Sequence, residues 1–195
     1  MASVVRALRA VSVPVVVVAD FDILKNGIDV ENLMALLGGN FDDIATDLRV
    51  VASALESDTK PLRKTPLRDV LMRQIDELPD EIIGKREAEA VRSTIHAETG
   101  WDKAKRSGTK AVPQGAASDA CERVVGALRE IGIMVVPVGQ LERFAPGVSG
   151  HGPSWATEVL SQGLHETPGR DAAEFVEALR VAASEGRRRV AALLT

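Results

Sequence analysis

Hydrophobic positions along the chain fall into two short, wholly apolar runs set among long stretches of helical periodicity. The first, Val13-Pro14-Val15-Val16-Val17-Val18, runs into Ala19-Asp20-Phe21-Asp22 and has the β-branched, unalternating character of a strand buried on both faces. Ile133-Met134-Val135-Val136-Pro137-Val138 is the second. Before the first run, Val4, Val5, Leu8 and Val11 recur at helical spacing and predict a helix over 3–11. After it, residues 23–27 read as a loop, and Asp29 is the expected N-cap of a helix through Leu33, Leu36 and Leu37 that stops at Gly38-Gly39-Asn40. Phe41 to Leu55 reads as a further helix with Ile44, Leu48, Val51 and Leu55 on one face. Thr65-Pro66 opens another, with Val70, Leu71 and Ile75 expected inward. The pattern continues from Ile82 to His96, and Trp101 with its lysines closes the region at Gly108.

Strand grammar returns beyond Thr109. Lys110 to Val112 is expected as a short strand, Gly115 to Asp119 as a loop, and Ala120 to Arg129 as a helix ended by Gly132. The second apolar run leads directly into Gly139-Gln140-Leu141-Glu142-Arg143-Phe144. Next comes the glycine-rich stretch Gly147 to Pro153, which contains His151, then a helix opened by Pro153 or Ser154 and running through Trp155 and Leu160. A last helix, Asp171 to Ala183, is expected to turn Phe175, Val176 and Leu179 inward, before Arg187 to Arg189 and an apolar tail from Val190 to Leu194. The expected fold is α/β, a parallel sheet flanked by helices. Its core comes from 1–28 and 108–165, a helical insertion spans 29–107, and 166–195 form a C-terminal helical segment.

Composition narrows the chemistry. A length of 195 residues suits one core, and the formal charge of −4 supplies no general basic field, so any contact with nucleic acid must come from local patches or from metal ions. Three patches qualify: Lys60, Arg63, Lys64 and Arg68; Lys103, Lys105, Arg106 and Lys110; and Arg187 to Arg189. With no tyrosine and few other aromatics, an aromatic platform for stacking single strands is not expected. Cys121, the single cysteine, excludes a disulfide within the chain, and no Cys/His set has zinc spacing. No charged-then-apolar leader opens the sequence and no apolar run reaches membrane-spanning length, so a cytoplasmic protein without membrane contact is the expectation.

The chemistry concentrates at the ends of the two apolar runs. In an open α/β sheet ligands bind at the carboxyl edge, and there the period-2 geometry of a strand would point Asp20 and Asp22 the same way. Two carboxylates so close repel unless a cation joins them, and hard oxygen ligands suit Mg²⁺ or Mn²⁺. Glu142 falls just past the second strand, on the same edge if the strands are parallel. Asp119 reads equally as a helix cap and Glu142 as a first-turn glutamate favoured by the helix dipole.

Taken together, V-V-V-V-A-D-F-D-I-L, then S-D-A with its following helix, I-M-V-V-P-V-G-Q-L-E-R-F, and G-H-G-P-S-W resemble the TOPRIM domain of the overcoming-lysogenization-defect (OLD) nucleases. The likeness covers roughly residues 5–30 and 110–165. It implies a TOPRIM-like fold and a DNA endonuclease that uses two Mg²⁺ or Mn²⁺ ions to activate water and stabilise the leaving oxygen. Carried over, it makes Asp20 and Asp22 metal ligands, joined by Ser118, Asp119 and Glu142. DNA would be the substrate and an ATPase domain or chain the partner. Two positions depart from the family's pattern: no glutamate precedes Asp20, and no lysine follows Lys110, although His151, Arg143 or Arg170 could act on phosphate charge instead. Those departures support an alternative, a catalytically incomplete TOPRIM-like module that assembles with an ATPase. The chain has no G-x-x-x-x-G-K-[ST] loop and is not itself expected to hydrolyse ATP. A haloacid-dehalogenase-type phosphatase is a weaker reading, because Leu24 stands where that family has Thr or Val. A homo-oligomer paired through an exposed strand edge is also compatible with the sequence.

Overall fold

The computed structural model describes residues 2–58, 64–78, 84–95 and 99–193, with the side chains of 93, 95 and 187–193 outside the description. Lys60, Arg63, Ile82, His96, Leu194 and the side chains of Arg187 to Arg189 and of the rest of the apolar tail therefore lie outside the described features.

Among the described residues the fold is α/β and mostly helical, built on a two-stranded parallel sheet. The strands β1 (Val17–Ala19) and β2 (Ile133–Val135) pair Val17 with Ile133, Val18 with Met134 and Ala19 with Val135. Both are shorter than their apolar runs: Pro14 and Pro137 each lack an N–H for the ladder, and regular pairing is confined to the three residues that both runs supply in register. The pleat sends alternate residues to opposite faces. Val17, Ile133 and Val135 join the main core, while Met134 and Val136, with Val16 and Val18, pack against a smaller cluster containing Phe175 and Ala182.

The helices are α1 (Ala2–Ala10), α2 (Gly27–Leu37), α3 (Asp42–Ser57), α4 (Lys64–Asp76), α5 (Lys85–Ile95), α6 (Gly100–Ser107), α7 (Ala116–Glu130), α8 (Pro153–Ser161) and α9 (Arg170–Leu193). Helix α7 packs on both α3 and β2, and α9 covers the opposite face of the sheet, giving three layers. Helix α3 buries Ile44, Leu48, Val51 and Leu55 as its periodicity predicts. It is tied to α7 by Arg123, whose guanidinium donates twice to the Asp47 carboxylate at 2.7 and 2.8 Å. Much of the stretch read as an insertion belongs to this core: α2, α3 and α6 contribute Val30, Leu33, Leu48, Val51, Leu55, Trp101 and Ala104. Helices α4 and α5 differ, packing on each other, with a Thr94 to Gln74 side-chain hydrogen bond of 2.7 Å between them.

Several expectations are corrected. The loop expected over 23–27 is mostly helical: 23–25 complete a 3-10 helix, Phe21–Lys25, and Gly27 already opens α2. Asn26, not Asp29, caps α2: its side chain accepts the Asp29 N–H and donates to the Asp29 carboxylate at 2.7 Å. Val70 and Ile75 on α4 and Val176 on α9 point outward, since periodicity marks a face without saying whether a partner covers it. The expected strand at 110–112 lies in and beside a 3-10 helix, Gly108–Ala111. Helix α7 starts at Ala116, so Ser118 and Asp119 sit in its first turn; Ser118 Oγ closes that turn by accepting the Gly115 N–H at 3.1 Å and donating to the Gly115 carbonyl at 2.8 Å. No helix among the described residues is long and apolar enough to cross a membrane.

Phe21 links the core to the acidic edge. It is fully buried, and its N–H donates to the Gly139 carbonyl at 2.7 Å. Phe21→Ala is expected to cost about 3–5 kcal/mol and to lower Tm by roughly 10 °C in a thermal melt, because a ring-sized void opens beneath both strand ends.

Candidate functional site

Asp20 follows the last residue of β1 and leads into the Phe21–Lys25 3-10 helix, which contains Asp22. Asp22 is thus in the first turn of a helix rather than two residues along a strand, and the pleat does not orient it. The two carboxylates nonetheless stay within each other's electrostatic reach. Across the sheet, the chain leaving β2 enters a second 3-10 helix, Leu141–Phe144, which carries Glu142. The backbone N–H of Leu141 donates to Asp20 Oδ1 at 3.3 Å, joining the two strand ends directly. Parallel pairing therefore brings Asp20, Asp22 and Glu142 to one edge, as their places after the two apolar runs predict.

The three acids experience different surroundings. Burial, together with repulsion from Asp22 and Glu142, pushes the Asp20 carboxyl above its ordinary value, against the opposing effects of the Leu141 N–H and the Lys105 charge. Glu142 moves the other way. The Gly152 N–H, donating to Oε1 at 3.0 Å, is the main cause, and His151 assists with Nδ1 3.4 Å from the same oxygen. Gly152 caps α8, so the amide that stabilises Glu142 is an N-terminal donor of that helix. Most of the His151 side chain is exposed, so its ring faces solvent beyond Glu142.

Lys105 is the residue that sequence reasoning misplaced. Grouped by composition with Lys103, Arg106 and Lys110, it instead reaches the acidic edge, with Nζ 3.8 Å from Asp22 Oδ2. Lys103, two residues earlier on α6, pairs with Asp58 at 2.6 Å. Two glycines set this approach. Gly108 has φ +57 and Gly139 φ +104; a Cβ on the first would strike the Pro137 carbonyl, and one on the second the Lys105 carbonyl. The end of α6 can thus lie directly against the turn after β2. Nothing local in the sequence connects Lys105 with Asp22.

Ser118 and Asp119 do not share these partners. Ser118 is engaged with Gly115, and the charge of Asp119 acts on Arg123 along α7. Among the described residues no three His, Cys, Asp or Glu groups form a set able to hold a metal ion. What the edge does offer is an all-oxygen pair, Asp20 and Asp22, whose like charges one hard cation would neutralise. Magnesium commonly takes only one or two carboxylates and completes its shell with water and phosphate oxygens. This donor chemistry fits one such ion. It does not fit a pair of ions that also uses Ser118 and Asp119.

Compared with protein-family models, curated proteins and solved structures, the chain matches none of them.

The shift on Asp20 has a measurable consequence for the metal-free protein. A carboxyl whose folded pKa is raised holds its proton more readily in the folded state than in the unfolded one. Stability is therefore lost as pH rises above the ordinary aspartate range, and the loss persists at neutral pH. Asp20→Asn removes the charge and keeps an oxygen for the Leu141 N–H. Its Tm is expected to exceed the wild type's by about 2 °C at pH 7 without divalent cations, and to match it near pH 3.

Proposed function

We propose that this edge is a divalent-cation site acting on phosphodiester bonds, making the chain an Mg²⁺- or Mn²⁺-dependent endonuclease of DNA with a TOPRIM-like core. The observation that carries the reading is the convergence of Asp20, Asp22 and Glu142 at the carboxyl edge of two parallel strands, with burial and like charge both acting against ionisation of Asp20. Such an arrangement is costly unless a cation completes it. The resemblance of the surrounding motifs to the OLD-type nucleases points the same way.

In this mechanism Asp20 and Asp22 would hold the ion, and the Leu141 N–H fixes one Asp20 oxygen so that the carboxylate would meet the cation in a set orientation. A bound ion supplies a polarised phosphate oxygen and a water of lowered pKa. Glu142 stays ionised and accepts from His151 Nδ1, leaving Nε2 of the exposed ring toward solvent, placed to give or take a proton at a reacting oxygen.

One observation favours the alternative of an incomplete module serving an ATPase partner. Ser118 is engaged with Gly115, and Asp119 is not among the charges that act on Asp20, so the ligands at the edge suffice for one ion. Nicking of supercoiled plasmid DNA in Mn²⁺ or Mg²⁺ separates the two readings. The nuclease reading expects metal-dependent nicked circles from the wild type and at least about a 100-fold loss in the Asp20→Ala/Asp22→Ala variant. Metal binding without nicking supports the module; absence of both overturns the cation site.

A further inference from the structure

The cation site proposed above already holds a positive charge of its own. Lys105 Nζ lies 3.8 Å from Asp22 Oδ2, and its charge also acts on Asp20, so one ammonium serves both residues assigned as ligands. It is carried there by backbone: α6 ends against the turn after β2, in the close approach that Gly108 and Gly139 permit. The charges acting on Asp20 are those of Asp22 and Glu142, which repel it, and of Lys105, which attracts it. This leaves three carboxylates against one resident ammonium.

We infer that Lys105 is a tethered counter-cation that competes with the metal for Asp22 and so determines which cations the edge admits. The inference rests on the reading of Asp20 and Asp22 as cation ligands and concerns their selectivity. Direct coordination of an ion by Asp22 draws that carboxylate away from the ammonium and brings two like charges close together. A monovalent ion gains no more from Asp22 than the ammonium already supplies, and it must also shed water. A divalent ion gains twice the Coulomb attraction from each carboxylate and outweighs the loss. Lys105 thus raises the concentration of metal needed to fill the site and excludes sodium and potassium from it. Both Lys105 and Asp22 are partly solvated, so the competition is moderate in size.

The test is calorimetric titration of the full chain with MnCl₂, comparing wild type with Lys105→Met, which retains the side-chain stem and removes the charge. Lys105→Met is expected to bind Mn²⁺ about five-fold more tightly, the size of one charge pair near 4 Å in water. It is also expected to lose affinity more steeply than the wild type as KCl is raised. Lys103→Met removes the same charge from the same helix, but from a lysine paired with Asp58, and is expected to stay within about two-fold of wild type. In an Asp22→Asn background the Lys105→Met gain is expected to shrink to below about two-fold, the part left by the weaker action of Lys105 on Asp20, which a general change in net charge or in helix packing would not produce. Equal or weaker Mn²⁺ binding by a Lys105→Met protein that melts like the wild type overturns the competition while leaving the cation site standing. Failure of both wild type and Lys105→Met to bind Mn²⁺ overturns the site and the competition together.

Discussion

Replacing Asp20 and Asp22 together by alanine is expected to abolish Mn²⁺ binding and to leave the protein folded, with a Tm equal to or above that of the wild type. Both halves follow from the same electrostatics. Asp20 is partly buried beside Asp22 and Glu142, and its charge opposes folding when no cation is present. Removing the pair relieves that repulsion and gives up one backbone-to-carboxylate hydrogen bond from Leu141, so the two effects offset each other. In the wild type, Mn²⁺ at a hundred times its Kd stabilises the folded state by about 2.7 kcal/mol through linkage, which raises Tm by roughly 5–10 °C. The shift should reverse on adding EDTA and should be absent from the double variant. A thermal melt with and without Mn²⁺ makes the comparison. A variant that still shifts with metal would place the ion elsewhere on the chain, and a variant that fails to fold would make the two aspartates structural.

Gly108→Ala is expected to be the most damaging small substitution near the site, costing about 3 kcal/mol or more and lowering Tm by roughly 10 °C. The backbone at Gly108 sits at φ +57, where an L side chain is strained, and the new methyl group would meet the Pro137 carbonyl. That oxygen accepts the Thr109 N–H at 3.0 Å, so the collision cannot be relieved without opening the contact between the end of α6 and the turn after β2. The functional effect should accompany the loss of stability. Lys105 is three residues before the glycine on the same chain, and moving this segment outward withdraws its ammonium from Asp22. A Gly108→Ala protein kept folded at low temperature is therefore expected to approach Lys105→Met in Mn²⁺ affinity. Unchanged stability would mean that the two segments separate without cost and that the glycine is not required for their approach.

Local pattern alone determined a great deal here. Two wholly apolar runs rich in β-branched residues were legible as buried strands because a strand covered on both faces has no polar side to alternate with. Helix α3 was legible residue by residue, since Ile44, Leu48, Val51 and Leu55 repeat at 3.6-residue spacing and the neighbouring α7 and α6 cover that face. Placing Asp20 and Glu142 after those two runs was enough to bring them to one edge once the strands proved parallel. Other features depended on where distant segments meet. Val70, Ile75 and Val176 have apolar spacing as good as that of α3, yet they stay exposed, because burial requires a covering element and periodicity does not supply one. The orientation of Asp22 depends on the 3-10 helix that begins at Phe21, fixed from outside by the hydrogen bond to Gly139. Ser118 and Asp119 turned from presumed ligands into first-turn residues when α7 began four residues earlier than its apolar spacing suggested. Lys105 could be placed only by the tertiary structure. Its neighbours in sequence describe a solvated basic helix, and its meeting with Asp22 arises from two glycines, Gly108 and Gly139, whose missing side chains let two backbones touch.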